Sequence, residues 1–206
     1  DYDKRHQIML IESLAVQLTD AKLFEETRLS SRDMLYPVSI LDIARVYLDC
    51  GDAETAHLWV KKIPREETFN AHERKELLEE IYRKQGDTEK LSELLYQKFR
   101  SEHTTETLQA LLEVVGHDRQ GEIIESEVAK ILKAEKLRLL DAVFLVSIGK
   151  IDEAEKYLLT HADQLDGDYY GSLLSLAQTM ESKRRYLVAS LIYRSMLTSI
   201  LSRGFT

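Results

Sequence analysis

Glycines recur along this chain at a nearly constant spacing, and each follows an apolar segment. Gly51, Gly86, Gly116 and Gly149 are 35, 30 and 33 residues apart, and Arg184 occupies the equivalent place 35 residues later. At each point an apolar pattern of helical period precedes a short turn, and a second one follows it. Self-similarity at this period is typical of proteins built from stacked helix pairs. The spacing therefore predicts an all-α solenoid of about five antiparallel helix pairs.

Composition supports a helical chain and disfavours some partners. The 206 residues include only two prolines and eight glycines, so we expect helix to exceed about 70% of residues, with no sheet. There are 28 basic and 36 acidic residues, giving a net charge of −8. A nucleic-acid surface needs concentrated positive charge, and the one basic run, at 183–185, suits a solvated turn between helices. No nucleic-acid partner is expected.

The chain gives no sign of an oxidising or membrane setting. Cys50 is its single cysteine, so an internal disulfide framework is excluded. No apolar segment is long enough to suggest a membrane span and no signal-like start is present, which predicts a cytoplasmic protein without a membrane partner. Because the chain starts at Asp1 rather than at Met and ends abruptly at Thr206, we expect a fragment of a longer protein.

We expect residues 1–206 to form a single α-helical repeat domain. Apolar residues at helical spacing predict one extra N-terminal helix over residues 4–28, in the stripe Ile8, Ile11, Leu14, Ala15, Leu18 and Ala21. Helical hairpins are predicted over residues 37–203. Small residues recur seven positions before the turns and five after them, at Ala44, Ala56, Ala142, Ala154, Ala177 and Ala189. Their size allows the paired helices to approach closely, and we expect Ala56, Ala154 and Ala189 to be buried at close helix crossings.

These residues resemble the tetratricopeptide-repeat family. The match is carried by Ala44, Tyr47, Gly51 and Ala56 and by Ala142, Gly149 and Ala154, and it covers residues 38–200. The early Trp and the closing Pro of that family are absent. The segments 45–62 and 191–194 also look like a bacterial family of helical-repeat proteins without assigned function. The resemblance implies a right-handed α-solenoid and no catalytic activity.

In the repeat family, ligand contacts lie on the first helix of each pair. The resemblance carries them here to Leu41, Arg45, Leu48, Asp49, Glu76, Glu80, Arg83, Lys84, Leu139, Val143, Val146, Leu174, Gln178 and Glu181. The Lys and Asn residues that clamp a peptide carboxylate in that family are missing. The mixture predicts a protein or peptide partner with apolar anchors and some basic charge. Tyr169 and Tyr170 lie outside the repeat pattern and either contact a partner or pack on the following helix.

No catalytic or metal motif was found. His72 and His117 each lack the second histidine of a zinc site. Cys50 precedes Gly51 near a helix C-terminus, where the helix dipole disfavours a thiolate. We therefore expect no enzyme activity, cofactor or metal. The alternative is that these helices scaffold or regulate an enzyme whose catalytic part lies outside this chain.

The last predicted helix has an unusually wide apolar arc. The residues on which another element could pack are Leu187, Leu191, Leu197 and Leu201. The terminal helix of a solenoid normally has a polar outer face because nothing stacks on it. We therefore expect this helix to be covered, either by C-terminal helices of the parent protein or by a second copy in a homodimer.

Overall fold

A computed structural model describes residues 2–30, 35–64 and 66–204. The fold is all-α, with 78% of residues helical and no strand in those ranges. The helices are α1 (Tyr2–Gln17), α2 (Ala21–Ser30), α3 (Pro37–Asp49), α4 (Ala53–Val60), α5 (Ala71–Gln85), α6 (Thr88–Glu102), α7 (Thr105–Val115), α8 (Gln120–Ile131), α9 (Leu139–Ser147), α10 (Ile151–Thr160), α11 (Tyr170–Ser182) and α12 (Tyr186–Ser202). Short 3₁₀ helices span His117–Arg119 and Ala162–Gln164. The predicted helical content and absence of strands are confirmed for these residues.

The repeat turns are where the sequence predicted them. Gly51, Gly86, Gly116 and Gly149 all have positive φ, between 68° and 99°, and Arg184 has φ 61°. Arg184 adopts the left-handed conformation although an L side chain disfavours it, which shows that the turn geometry outweighs the residue's own preference. Asp52 accepts the backbone N–H of Thr55 at 2.9 Å and thereby caps α4.

The chain divides into two compact units, unit 1 (Asp1–Leu94) and unit 2 (Leu95–Thr206). In unit 1, α1 packs on α2 and α3 packs on α4, while α3 also contacts α2 and α5. In unit 2, α9 packs on α10 and α11 on α12, while α9 contacts α11 and α10 contacts α12. Ala56, Ala154 and Ala189, which were predicted to be buried at close helix crossings, are buried, and so are Ala44, Ala142 and Ala177.

The prediction of one N-terminal helix over residues 4–28 is wrong. The chain forms two helices there, because Thr19 has φ 54° and the Asp20 side chain accepts the backbone N–H of Leu23 at 2.9 Å. An Asp in this position starts a new helix by capping its first turn. Of the predicted apolar stripe, Ala15 and Ala21 are buried, whereas Ile11, Leu14 and Leu18 are exposed.

The third hairpin departs from a simple pair of helices joined by a short turn. The 3₁₀ helix after Gly116 delays the start of α8, and Ile123 rather than Ile124 is buried. Glu127 then occupies a buried position four residues after Ile123, on the same helix face.

Candidate functional site

In unit 1, the residues predicted to bind a partner lie on the surface of α3 and α5, here called the α3–α5 face (Arg45, Asp49, Glu80 and Lys84). Arg45 forms an ion pair with Glu80, with Nη1 and Oε2 2.6 Å apart. Lys84 donates from Nζ to the carbonyl oxygen of Leu48 at 2.7 Å. Asp49 is exposed. Three of the predicted residues are thus brought together, but their charges already have partners within the unit.

Other predicted residues of unit 1 are not available as a shared surface. Arg83 is paired with Glu79 on its own helix at 3.1 Å, and Glu76 with His72 at 3.3 Å. Leu41 and Leu48 are buried, so their prediction as ligand contacts is wrong. The reason is that α3 contacts α2, α4 and α5 at once, which covers most of its circumference.

Unit 2 has a different surface at the equivalent helices. Val143 and Leu140 lie on one side of α9 at helical spacing, with 42% and 52% of their surfaces exposed. Val146 is half-buried, whereas Gln178 and Glu181 are exposed on α11. The Glu181 carboxylate accepts the hydroxyl of Tyr193 at 3.2 Å.

A pocket of about 420 Å³ opens where α9 and α11 begin. Its walls are Leu137, Arg138, Leu139, Leu140, Gln164, Asp166, Tyr169 and Ser172. We call this pocket together with Val143 the α9–α11 face. Tyr169 is 61% exposed, so its ring is available to a partner. Of the predicted ligand contacts, Leu139 lines the pocket and Val143 lies beside it. Leu174, also predicted as a contact, is half-buried and does not line the pocket.

The loop between α8 and α9 forms one wall of this pocket and is fixed by side chains from α10 and the turn after it. Gln164 accepts the backbone N–H of Leu137 at 2.8 Å and donates to the carbonyl of Glu135 at 3.1 Å. Tyr157 accepts the backbone N–H of Arg138 at 2.9 Å, and the ring Nε2 of His161 lies 2.9 Å from the carbonyl of Ala134. The loop's polar groups are satisfied in one conformation, so the wall exists before any ligand arrives.

The opposite wall is fixed by close packing on α12. A Cβ at Gly167 would lie 2.3 Å from the backbone oxygen of Ser195, so no larger residue fits without moving the loop. The carboxylate of Asp168 accepts hydrogen bonds from Ser199 of α12 and from Arg203, which directly follows that helix. These bonds lower the pKa of Asp168. Asp166 is therefore held on a loop that cannot shift freely.

A buried charged network lies beneath this surface. His103, in the turn between α6 and α7, donates from Nδ1 to Asp141 Oδ1 of α9 at 2.6 Å. Its Nε2 lies 3.5 Å from Glu127 Oε1 of α8. The other oxygen of Glu127 accepts from Lys130 at 2.9 Å and lies 3.4 Å from Arg100 Nε. All three members of this buried network (His103, Glu127 and Asp141) are almost inaccessible to water.

The network changes the protonation of its members. Burial by itself lowers the pKa of His103, but the hydrogen bond to Asp141 and the nearby carboxylate of Glu127 outweigh this effect and raise it above its ordinary value. Burial raises the pKa of Glu127, but contact with His103 and Lys130 outweighs burial and lowers it to about 2. The two carboxylates thus favour the charged form of the imidazole.

This network positions the start of α9, where the pocket lies. Asp141 directly follows Leu140, and the guanidinium of Arg138 donates to the carbonyls of Arg100 and Ser101 at 3.2 and 2.6 Å. These carbonyls belong to the last turn of α6, whose partial negative charge favours a cation. The network is buried and ties α9 to the α6–α7 turn through His103 and Asp141.

The sequence contained weak indications that Asp141 and Glu127 are buried. Asp141 is a single charge in the apolar run Leu139–Ser147, and Glu127 falls midway between Ile123 and Ile131 on one helix face. A charge in a core position indicates a buried partner. The sequence around His103 does not indicate that His103 is this partner. No local pattern marks Gln164 or Asp166 as pocket residues either.

The remaining sequence candidates lie apart from these faces. The Cys50 thiol donates to the carbonyl of Thr19 at 3.2 Å, and His117 is exposed. Over the described ranges, no group of three or more His, Cys, Asp or Glu residues is arranged to hold a metal ion. The helices of those ranges include none with the length and apolar character required to cross a membrane.

On α12, Leu187, Leu197 and Leu201 are exposed, and half-buried Leu191 lines a second pocket with the loop 163–168. Arg185, the last residue of the basic run, is paired with Asp152 and, at 2.9 Å, with Glu155. That run is therefore a turn in which one of three cations is already paired.

Comparison with known proteins identifies the chain at the level of a family. A family of unknown function, DUF6880, matches residues 3–205. The chain belongs to this family. No curated protein and no solved structure matches it. A function for this DUF6880 member must therefore be argued from its own surface.

Proposed function

We propose that this DUF6880 protein is a non-catalytic scaffold that binds a protein or peptide, with the α9–α11 face as its docking surface. In this proposal the helix pairs stack as a right-handed, tetratricopeptide-like α-solenoid, and the first helices of successive pairs line its concave side. The contacts of α3 with α5 and of α9 with α11 fit this arrangement. We also propose a cytoplasmic, bacterial setting, which rests on the sequence patterns.

The observation that carries the proposal is an exposed apolar surface beside a pocket with fixed walls. Each Å² of apolar surface that a partner covers contributes roughly 25 cal/mol, and Leu140, Val143 and Tyr169 supply such surface. A preformed pocket also spares the cost of ordering a loop on binding. The α3–α5 face lacks this advantage because Arg45, Glu80 and Lys84 would have to exchange existing partners for new ones.

The test is selection of peptides from a random library displayed on phage, followed by mapping of the binding site by amide chemical-shift changes. We expect selected peptides to shift signals of residues 137–143 and 169–172. The substitution Leu140→Asp should weaken binding by about 10- to 100-fold, as the loss of one buried leucine contact predicts.

The matched control is Leu58→Asp on α4, where the leucine is similarly exposed. This variant should bind the selected peptides unchanged. Peptides that bind elsewhere, or whose affinity is insensitive to Leu140→Asp, would contradict the proposed docking surface.

A second proposal concerns self-association through α12. Its exposed residues Leu187, Leu197 and Leu201 form apolar surface at which a second copy could pack. We expect light scattering to show a dimer and Leu197→Glu to dissociate it. A monomer at all concentrations would contradict self-association.

A further inference from the structure

We infer that the α9–α11 face prefers a peptide segment in which a bulky apolar residue is followed by an arginine. The apolar side chain would contact Leu137, Leu139 and Leu140, and the guanidinium would meet the carboxylate of Asp166. This inference rests on the proposed docking function and specifies the chemistry of the partner.

The first step concerns the charges that line the pocket. The guanidinium of Arg138 is engaged with the carbonyls of Arg100 and Ser101 and lies 3.8 Å from Asp141 Oδ1. Its N–H donors are therefore engaged from the protein side. Within residues 66–204, Asp166 forms no ion pair, and its carboxylate accepts the backbone N–H of Asp168 at 3.0 Å.

The second step concerns geometry. Asp166 lines the same pocket as the three leucines and Tyr169, so the pocket has an apolar wall and an acidic rim. The loop that carries Asp166 is held by the close approach of Gly167 to Ser195. The backbone at Asp166 is therefore restrained, and the N–H of Asp168 orients its carboxylate.

The third step is the choice of the cation. A planar guanidinium binds a carboxylate through two parallel hydrogen bonds and also stacks on aromatic rings. Asp166 offers the carboxylate and Tyr169 the exposed ring in one pocket, whereas an ammonium would use only the charge. An acidic residue in the same place would be repelled by Asp166. An arginine is thus the partner residue that fits both groups.

The experiment compares three synthetic peptides by chemical-shift titration: Gly-Ser-Phe-Arg-Ser-Gly and its counterparts with Gln or Glu in place of Arg. We expect the Arg peptide to bind about three- to fivefold more tightly than the Gln peptide, which is the range of a partly exposed ion pair. The Glu peptide should bind most weakly. The advantage of Arg should shrink as salt is raised.

The substitution Asp166→Asn should remove the difference between the Arg and Gln peptides and leave their common affinity. Asp163→Asn is the matched control, because it changes the net charge equally but lies outside this pocket. The Arg preference should persist in that variant. Both variants should retain the wild-type helical circular dichroism.

Equal binding of the Arg and Gln peptides to the wild-type protein, or no binding of either, would overturn this inference. The docking proposal is judged separately by the phage-selected peptides. If those bind the α9–α11 face without enrichment of arginine, the docking surface stands and its arginine preference fails. If they bind elsewhere, both fail.

Discussion

In unit 1 the ion pair between neighbouring first helices is on the surface, whereas in unit 2 the strongest charged contacts lie beneath it. The Arg45 and Glu80 side chains are 37% and 48% exposed, while those of His103 and Asp141 are 4% and 3% exposed. Burial of the charged groups leaves Leu140 and Val143 as the outer surface of α9. The difference teaches that one helical repeat can produce either a charged face that is already satisfied or an apolar face that is open to a partner.

The comparison also separates two kinds of electrostatic contribution. An exposed pair contributes roughly 0–1 kcal/mol because water screens it. A buried pair gives little net stability as a whole, but the loss of one partner leaves an uncompensated charge and costs about 3–5 kcal/mol. The two units should therefore respond differently to removal of one charge.

The largest effect is expected for Asp141→Ala in unit 2. This variant removes the carboxylate that His103 contacts at 2.6 Å, and it should lower the free energy of unfolding by about 3–5 kcal/mol in urea denaturation. Asp141→Asn keeps the shape and should cost less. Glu125→Ala, an exposed charge on α8, is the control and should stay within about 0.5 kcal/mol of wild type. A loss below about 1 kcal/mol for Asp141→Ala would remove the contrast between the units.

A second expectation concerns pH. Because the pKa of His103 is raised in the fold, its contribution is complete below its ordinary pKa of 6.5 and is lost as pH rises through the raised value. Because the pKa of Glu127 falls from 4.5 to about 2, its contribution is complete above 4.5 and is lost as pH falls towards 2. The Glu127 part amounts to about 3 kcal/mol. Urea titrations across this range should give maximum stability between pH 4.5 and 6.5 for this network.

The variants His103→Gln and Glu127→Gln sharpen the pH test. Each should flatten the pH dependence on its own side of the maximum, alkaline for His103 and acidic for Glu127. An unchanged pH profile in both variants would mean that other groups determine it.

A smaller effect is expected at the turns. Unit 1 uses glycine at the left-handed positions of its two hairpin turns, whereas the last turn of unit 2 has Arg184 at φ 61°. The substitution Arg184→Gly should raise the thermal midpoint by relieving this conformation, with a gain of about 0.5–1 kcal/mol. Gly149→Ala should have the opposite sign. A destabilised Arg184→Gly protein would show that the arginine side chain matters more than its backbone.

The smallest effect is expected for Arg45→Ala on the α3–α5 face. Its ion pair with Glu80 is exposed, so a double-mutant cycle with Glu80→Ala should give a coupling below about 1 kcal/mol that decreases with salt. A coupling of several kcal/mol would mean that the exposed ion pair of unit 1 contributes as much as the buried charges of unit 2.

The sequence alone determined the class of fold and the positions of the repeat turns. Gly51, Gly86, Gly116, Gly149 and Arg184 were placed correctly, as were the buried alanines, since helical period and turn residues are local properties read over a few turns of chain. The N-terminal break at Asp20 was also a local signal, and the longer apolar pattern concealed it. The candidate residues on α9 and α11 came from the family resemblance and remain predictions.

Tertiary structure decided which of those residues are usable. On the α3–α5 face, three of the charged side chains already have partners on the neighbouring helix: Arg45 pairs with Glu80, and Lys84 bonds to the carbonyl of Leu48. Leu41 and Leu48 are buried because α3 has neighbours on several sides. The pocket of unit 2 depends on contacts between groups that are far apart in sequence. Gln164 bonds to Leu137 in the loop before α9, and His103 bonds to Asp141, 38 residues away. Hydrogen bonds and ion pairs depend on distance and exclusion of water in three dimensions, and neither quantity is encoded in the local spacing of residues.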